Sequence, residues 1–245
     1  PAGPHVFRWR RMADLRGDPL GIELHSGVGR FMKAVYGWAL AGVALTAATA
    51  GLLGRSPASV EMLREAPGSG LLWPALAVLA LACGTRLHSL RPGVARAAFL
   101  GFSALFGAAL AWIGAVTALT PGRLGLAVAV AGGVFVALAV FGSRTRRDLS
   151  GWGPVLMAAL LGSIIAVVLD LGVLRGAGVS GLDTGVQALL CGIFAGFVAH
   201  DTQKIKQMYR AHGPRDNLAV VGALKLYLDF VNLLLATLRL VGGYR

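Results

Sequence analysis

Leu224–Leu235 reads LKLYLDFVNLLL and lies inside the last apolar stretch of the chain, with Asp229 at its middle. A carboxylate at the centre of a lipid-spanning helix costs roughly 2.5–3.5 kcal/mol on insertion scales. Such a residue must face the interior of a helix bundle, where a proton, a cation or a hydrogen-bond donor can meet it. If the stretch spans a membrane, the face that carries Asp229 must lie against other helices.

The composition supports that setting. Of the 245 residues, 56% are hydrophobic and only 14% are charged, and the mean hydropathy is +0.70. A soluble domain of this length would carry a more polar surface, so a membrane protein is expected. The formal net charge is +12. Its cations fall between apolar runs and form no aromatic-studded patch. They read as topology signals, and no nucleic acid is expected as a partner. Cys83 and Cys191 both sit in apolar runs and read as small buried residues. No CxxC, HExxH, P-loop or GxSxG pattern is present, and no resident cofactor or enzymatic activity is expected. The chain begins at Pro1, which reads as a fragment or as the result of a removed leader.

Residues 1–30 form a basic polar segment that cannot bury enough apolar area to fold alone. It is expected to dock on the rest of the chain or on a partner. Residues 31–245 hold seven apolar stretches near the ~20 residues a spanning helix needs. They lie at about 31–53, 71–88, 94–118, 122–142, 153–174, 184–207 and 218–241. GRSPASVEMLREAPGSG, RLHSLRPG, TPGR, SRTRRDLSGWGP, LRGAGVSGLD and HGPRDN separate them. Pro92 and Pro154 suit helix starts, and Asp216 or Asn217 suits a cap for the last helix. Trp38, Trp73, Trp112 and Trp152, near segment ends, suit interface anchors. GIFAG places Gly192 and Gly196 one turn apart, a spacing for close helix packing. Alternate loops carry most of the cations, including Arg144, Arg146, Arg147, Lys204, Lys206 and Arg210. The positive-inside rule then predicts seven crossings, an inside N-terminus and an outside C-terminus, with six crossings and one re-entrant segment as the competing arrangement.

Three acids touch the apolar stretches: Asp170, Asp201 and Asp229. Asp170 reads as a wetted segment end. If the sixth helix ends near residue 208, Asp201 lies about 10 Å from that end, and Asp229 about 16 Å deep in the seventh. Two consecutive antiparallel helices would let these acids face each other. Two carboxylates within hydrogen-bonding distance share a proton and repel when both ionise. They would then form a pH latch on an ion pathway, or a static bond that fixes packing. Arg86, Lys225 and His200 are candidate counter-charges. Lys225 precedes Asp229 by one helical turn and could neutralise it or snorkel. His200 reads as a helix-end histidine facing water. An intramembrane hydrolase would also use paired aspartates, but neither acid carries a Gly-x-Gly-Asp motif.

HDTQKIK (200–206) followed by ALKLYLDFVNLLLATLRLVGG (223–243) resembles the last two helices of the Bax inhibitor family of membrane proteins. FMKAVYGWALAGVALTAATA (31–50) is similar to that family's first helix. The likeness covers about residues 31–242. LLGRSPASV and GWGPVLMAALLGSI look most like the mitochondrial, growth-hormone-inducible branch. The resemblance implies an all-α membrane protein, with seven transmembrane helices bundled around a central last helix. It also implies a pH-sensitive calcium leak or calcium–proton exchange, with calcium as transported ion. The latch would be Asp201 and Asp229, with Arg86 as a basic partner. The mitochondrial branch implies the inner membrane, cristae organisation and inner-membrane protein partners besides the membrane lipids. The alternative location is a bacterial plasma membrane. This chain departs from the family at His200, where tyrosine is common, by placing Lys225 before the central acid, and by lacking an acid in the second stretch. These departures fit a member that keeps the fold without a pore. It would then be an accessory subunit of a larger inner-membrane complex, clamped by residues 1–30.

Overall fold

A computed structural model describes residues 19–65, 89–117, 120–169, 182–213 and 217–242. Its described residues form an all-helical bundle with α1 (Pro19–Arg55), α2 (Pro57–Glu65), α3 (Pro92–Thr117), α4 (Pro121–Arg144), α5 (Trp152–Leu169), α6 (Leu182–His212) and α7 (Leu218–Gly242). Proline opens four of these helices, because its fixed φ fits the first turn and its missing N–H costs nothing there. The predicted second stretch, 71–88, lies outside the described residues, as do Arg86, Asp170, Trp73, Cys83 and Asp216. The short α2 interrupts a segment expected to be a loop. α1 begins twelve positions earlier than the apolar stretch it contains, at Pro19.

Among the described residues, five helices are long and apolar enough to cross a membrane: those within α1, α3, α4, α6 and α7. The apolar part of α5 is shorter. Large apolar side chains face outward on this bundle, including Leu40 at 69%, Val155 at 68% and Val136 at 60% exposure. A water-soluble surface rarely gathers so many, and lipid is the solvent that suits them. Several buried hydroxyls satisfy themselves within their own helix. Ser103 donates to Phe99 O, Ser163 to Ala159 O and Thr237 to Leu233 O, each at 2.7–2.9 Å. That i to i−4 bond is how a hydroxyl survives where no water is available.

α7 is the central helix. It packs against α1, α3, α4 and α6, and it contributes to all three buried clusters. Val220, Leu224, Tyr227 and Val231 meet Phe99, Phe102 and Phe106 of α3. Leu218 and Leu226 meet Phe31, Met32 and Val35 of α1 and Ile205 of α6. Leu233, Leu234 and Leu238 meet Ala127 and Ala131 of α4. In lipid no hydrophobic force pulls helices together, so fit and small residues set the contacts. Gly107 of α3 lies against the Thr46 backbone, where a Cβ would come within 2.6 Å of Thr46 O. Gly142 of α4 lies just as close against Ala199 O of α6. Gly196 accommodates Leu156 of α5, as its motif predicted, whereas Gly192 meets nothing within 4 Å. Only one glycine of GIFAG therefore serves close packing.

Inside the first cluster, Tyr227 is fully buried among the edges of three phenylalanines. Its Oη lies 2.6 Å from Thr46 Oγ1, and Thr46 Oγ1 donates to Ser103 O at 2.9 Å. The threonine has a single hydroxyl proton, already given to Ser103. Tyr227 must therefore be the donor, and one chain of hydrogen bonds joins α7, α1 and α3. At the other end of α1, Phe31 stacks on Tyr209 of α6 with ring centroids 4.7 Å apart. Gly27, within the predicted N-terminal segment, packs beneath the Tyr209 hydroxyl.

Candidate functional site

The turn from α6 to α7 sets the site. Gly213 adopts φ 69°, and its N–H bonds Tyr209 O at 2.8 Å. A left-handed glycine at this position ends a helix and reverses the chain. Asn217 holds the N-cap position of α7, its O accepting from Val221 N at 3.0 Å, but its side chain turns elsewhere. Its Nδ2 donates to Leu90 O, tying the start of α7 to the residues before α3.

α6 runs on to His212, past the residue 208 assumed from the sequence, so Asp201 lies deeper than expected. Asp201 stands as far from the end of α6 as Asp229 stands from the start of α7. Both lie about 16 Å along their helices from the turn, at ~1.5 Å per residue. α6 and α7 pack against each other, and Asp229 is within electrostatic reach of both Asp201 and Lys225.

The two acids have unequal surroundings. Asp201 is partly covered, with its side chain 13% exposed. Its Oδ1 meets His200 Nδ1 at 2.8 Å, and its Oδ2 lies 3.8 Å from Lys225 Nζ. Asp229 is 8% exposed, and its Oδ2 is buried with no hydrogen-bond partner. The sequence left Lys225 either to neutralise Asp229 within one helix or to snorkel to the surface. Its ion pair instead crosses the interface to Asp201, because an antiparallel neighbour at the same depth is as close as the next turn. His200 does not face water as predicted. Its side chain is 11% exposed, and its ring fills the space over Gly153, where a Cβ would come 2.9 Å from Nε2. Gly153 opens α5 just where that ring needs room. Arg86 lies outside the described residues.

The loop between α4 and α5 is fastened beside this site. Gln203 Nε2 donates to Arg147 O, and Gln203 Oε1 accepts from Leu149 N, both at 2.8 Å. Lys206 Nζ donates to Ser143 O at 2.6 Å. Asp148 accepts the Ser150 amide at 2.9 Å. That bond holds its carboxyl below the usual range, with a smaller contribution from the charge of Lys204. The sequence reading counted Arg144, Arg146 and Arg147 as topology charges and gave Gln203 no role. An uncharged amide in HDTQKIK carries no charge signal, and its two backbone partners are distant in sequence.

The family model described as inhibitor of apoptosis-promoting Bax1 matches residues 28–245. The inner membrane protein YbhL of Escherichia coli K12 is 35% identical over 237 residues, covering 94% of this chain and 98% of YbhL. An uncharacterized protein of Deinococcus radiodurans is 34% identical over 215 residues, 86% of this chain and 89% of that protein. One from Caulobacter vibrioides is 30% identical over 241 residues, 93% and 94% of the two chains. The chain belongs to the Bax inhibitor family.

Proposed function

We propose that this Bax inhibitor family member carries a proton-gated calcium pathway, a leak or a calcium–proton exchange, with Asp201 and Asp229 as its latch and no enzymatic activity. One observation carries the reading. Among the described residues, Asp229 is buried on the central helix with Oδ2 unpartnered, while Lys225 and the His200 ring lie against Asp201. A lone buried carboxylate is costly. It must hold a proton or take a passing cation, and that choice is what a proton-gated cation path requires. Protonated, Asp229 can sit against Asp201 and keep α6 and α7 together. Ionised, the pair repels and the helix interface loosens. Lys225 and His200 set how much of Asp201's charge Asp229 feels. The described relatives are bacterial, and YbhL bears the name of an inner membrane protein. This supports the bacterial plasma membrane over the mitochondrial inner membrane as the site of action, with the α6–α7 turn on the inside.

The test is calcium flux into proteoliposomes across pH ~5 to 8, the range a perturbed carboxylate pair reaches. Flux should rise as the pair loses its proton. Asp229→Asn, which mimics the protonated acid in size and hydrogen bonding, should give low flux with no pH dependence. Absence of flux above empty liposomes in both proteins would sink the pathway.

A second reading is favoured by the Lys225–Asp201 pair itself. A counter-charge built into α7 could hold Asp201 permanently and leave a static bundle. The chain would then be an accessory subunit, and it would co-migrate with a larger membrane complex in mild detergent.

A further inference from the structure

The face of α6 that carries Asp201 continues toward the turn through Lys204, Met208, Ala211 and His212. Helical spacing puts these positions on one side. Lys225 reaches the same place from α7, and together they line a groove of about 280 Å³. Its lining is mostly hydrocarbon, from Met208, Ala211 and the stems of the two lysines over the buried Ile205, with Gln207 and His212 at its edge. Lys204 and Ala211 are exposed, so the groove is open to its surroundings. Lys225 has 45% of its side chain exposed. By helix rise, both lysine Cα atoms lie about 10–12 Å from the turn. Their long stems can carry the ammonium groups toward the membrane interface. His212 stands at the end of α6 nearest the turn. Its Nδ1 donates to Met208 O at 3.0 Å, because a carbonyl can only accept, and its Nε2 therefore carries the ring's lone pair when neutral.

We infer that this groove binds one anionic phospholipid from the leaflet at the α6–α7 turn. The phosphate would bridge Lys204 and Lys225, and one acyl chain would lie along Met208, Ala211 and the lysine stems. Charge complementarity commits the site to this ligand. Two ammonium groups above a hydrocarbon lining match a molecule that is anionic at one end and apolar along its length. A free phosphate uses the charges but not the lining. A zwitterionic lipid uses the lining but offers the lysines no net charge. The neighbouring Lys206 is not part of the site, since it is spent on Ser143 O. Asp148 on the adjoining loop feels Lys204 and competes weakly for it.

The site deepens the latch and, in its effect on flux, rests on that reading. Lys225 is the cation 3.8 Å from Asp201 Oδ2. A phosphate that draws Lys225 outward strips Asp201 of its counter-charge and raises the repulsion felt by Asp229. A stronger negative charge at Asp201 favours the protonated, closed form of the pair, so anionic lipid would hold the pathway shut where Lys225 otherwise eases its opening.

The test measures lipid binding first, without flux. The purified full chain in detergent is titrated with fluorescent phosphatidylglycerol and with fluorescent phosphatidylcholine. The natural chain should prefer phosphatidylglycerol. Lys204→Gln and Lys225→Gln should each weaken that binding roughly fivefold, the usual effect of one lysine near an anionic surface. Ala211→Trp keeps both charges, stands at an exposed position and fills the groove, and it should weaken binding by at least as much. Lys33→Gln, an exposed cation on α1, should change nothing. Equal affinity for the two lipids, an equal loss in Lys33→Gln, or displacement by millimolar inorganic phosphate would each overturn the site. So would a dimer of the natural chain that Ala211→Trp abolishes and phosphatidylglycerol does not displace, since a second copy would then be the occupant. Selective binding without calcium flux leaves the site standing and sinks the latch. Flux that varies with pH but ignores phosphatidylglycerol sinks the site alone.

Discussion

The hydrogen-bond chain through Tyr227 predicts an asymmetry between two conservative changes. Tyr227→Phe removes the donor at 2.6 Å from Thr46 Oγ1. Thr46 still donates to Ser103 O, so an acceptor lone pair is all that goes unmet. Interhelical hydrogen bonds in membranes average about 0.6 kcal/mol, and Tyr227→Phe should cost about that. Thr46→Val removes the nearer acceptor of a fully buried phenolic O–H. Three ring edges at 5.6–6.3 Å surround Tyr227, and the Ser103 side chain is its weaker second hydrogen-bond partner. A poorly met buried donor costs roughly 1–3 kcal/mol, so Thr46→Val should cost about 1 kcal/mol, more than Tyr227→Phe. The double mutant should be no worse than Thr46→Val, because the poorly met donor is then gone. Reversible unfolding in mixed micelles of dodecyl maltoside and dodecyl sulfate reads all three. A larger loss for Tyr227→Phe than for Thr46→Val would show that the donor assignment is wrong. Strict additivity would show that the two hydroxyls do not act together.

Four other outcomes follow from the same geometry. Gly142→Ala should weaken the fold by several kcal/mol or prevent assembly, because its methyl meets the Ala199 backbone, while Gly133→Ala, with nothing within 4 Å, should be neutral or slightly stabilising in the same unfolding assay. Gln203→Leu should release the α4–α5 loop and leave the Leu149 amide unpartnered, visible as faster hydrogen exchange at residues 147–149 with α1 and α7 unchanged. Lys225→Gln should shift the pH dependence of calcium flux without abolishing it; an unchanged profile would remove Lys225 from the latch. The Asp148 carboxyl carbon should titrate below the usual carboxylate range, and Ser150→Pro, which lacks the amide proton, should bring it back. A depressed carboxylate stabilises the folded loop above its ordinary pKa, and that contribution disappears as pH falls through the depressed value.

Helix existence was legible in the sequence because lipid imposes a length and an apolar composition on every span. Proline and glycine at the joints were legible for the same local reasons, while the central place of α7 was implied by the family resemblance, the acid itself asking only that its helix face a bundle interior. Side-chain pairing was not legible. Lys225 and Asp229 are one turn apart in sequence, which suggests a pair, yet the cation pairs with Asp201 on the neighbouring helix. Intrahelical spacing is fixed at ~5–6 Å between Cβ atoms, whereas the depth of a facing residue depends on where two helices end. Four extra residues at the end of α6 were enough to bring Asp201 level with Asp229. His200 was misread for a similar reason: the room for its ring comes from Gly153, on another helix. The Gln203 clamp gave no signal, because a single amide holding two backbone groups has neither periodicity nor charge.

The inequality of the two acids bears on which of them gates. A symmetric pair would share one proton equally, and either Asp→Asn change would lock it alike. Here Asp201 has a lysine and a histidine within reach, one at each carboxylate oxygen. Asp229 has no partner for Oδ2 and little exposure, so its ionisation depends on what else enters the interface. The two roles therefore separate. Asp201 supplies a standing negative charge whose strength Lys225 adjusts, and Asp229 supplies the proton-dependent step. Asp201→Asn should then leave a pH-dependent flux of altered midpoint, while Asp229→Asn removes the dependence itself. Identical flux profiles for the two variants would return the pair to symmetry and make the cations around Asp201 irrelevant to gating.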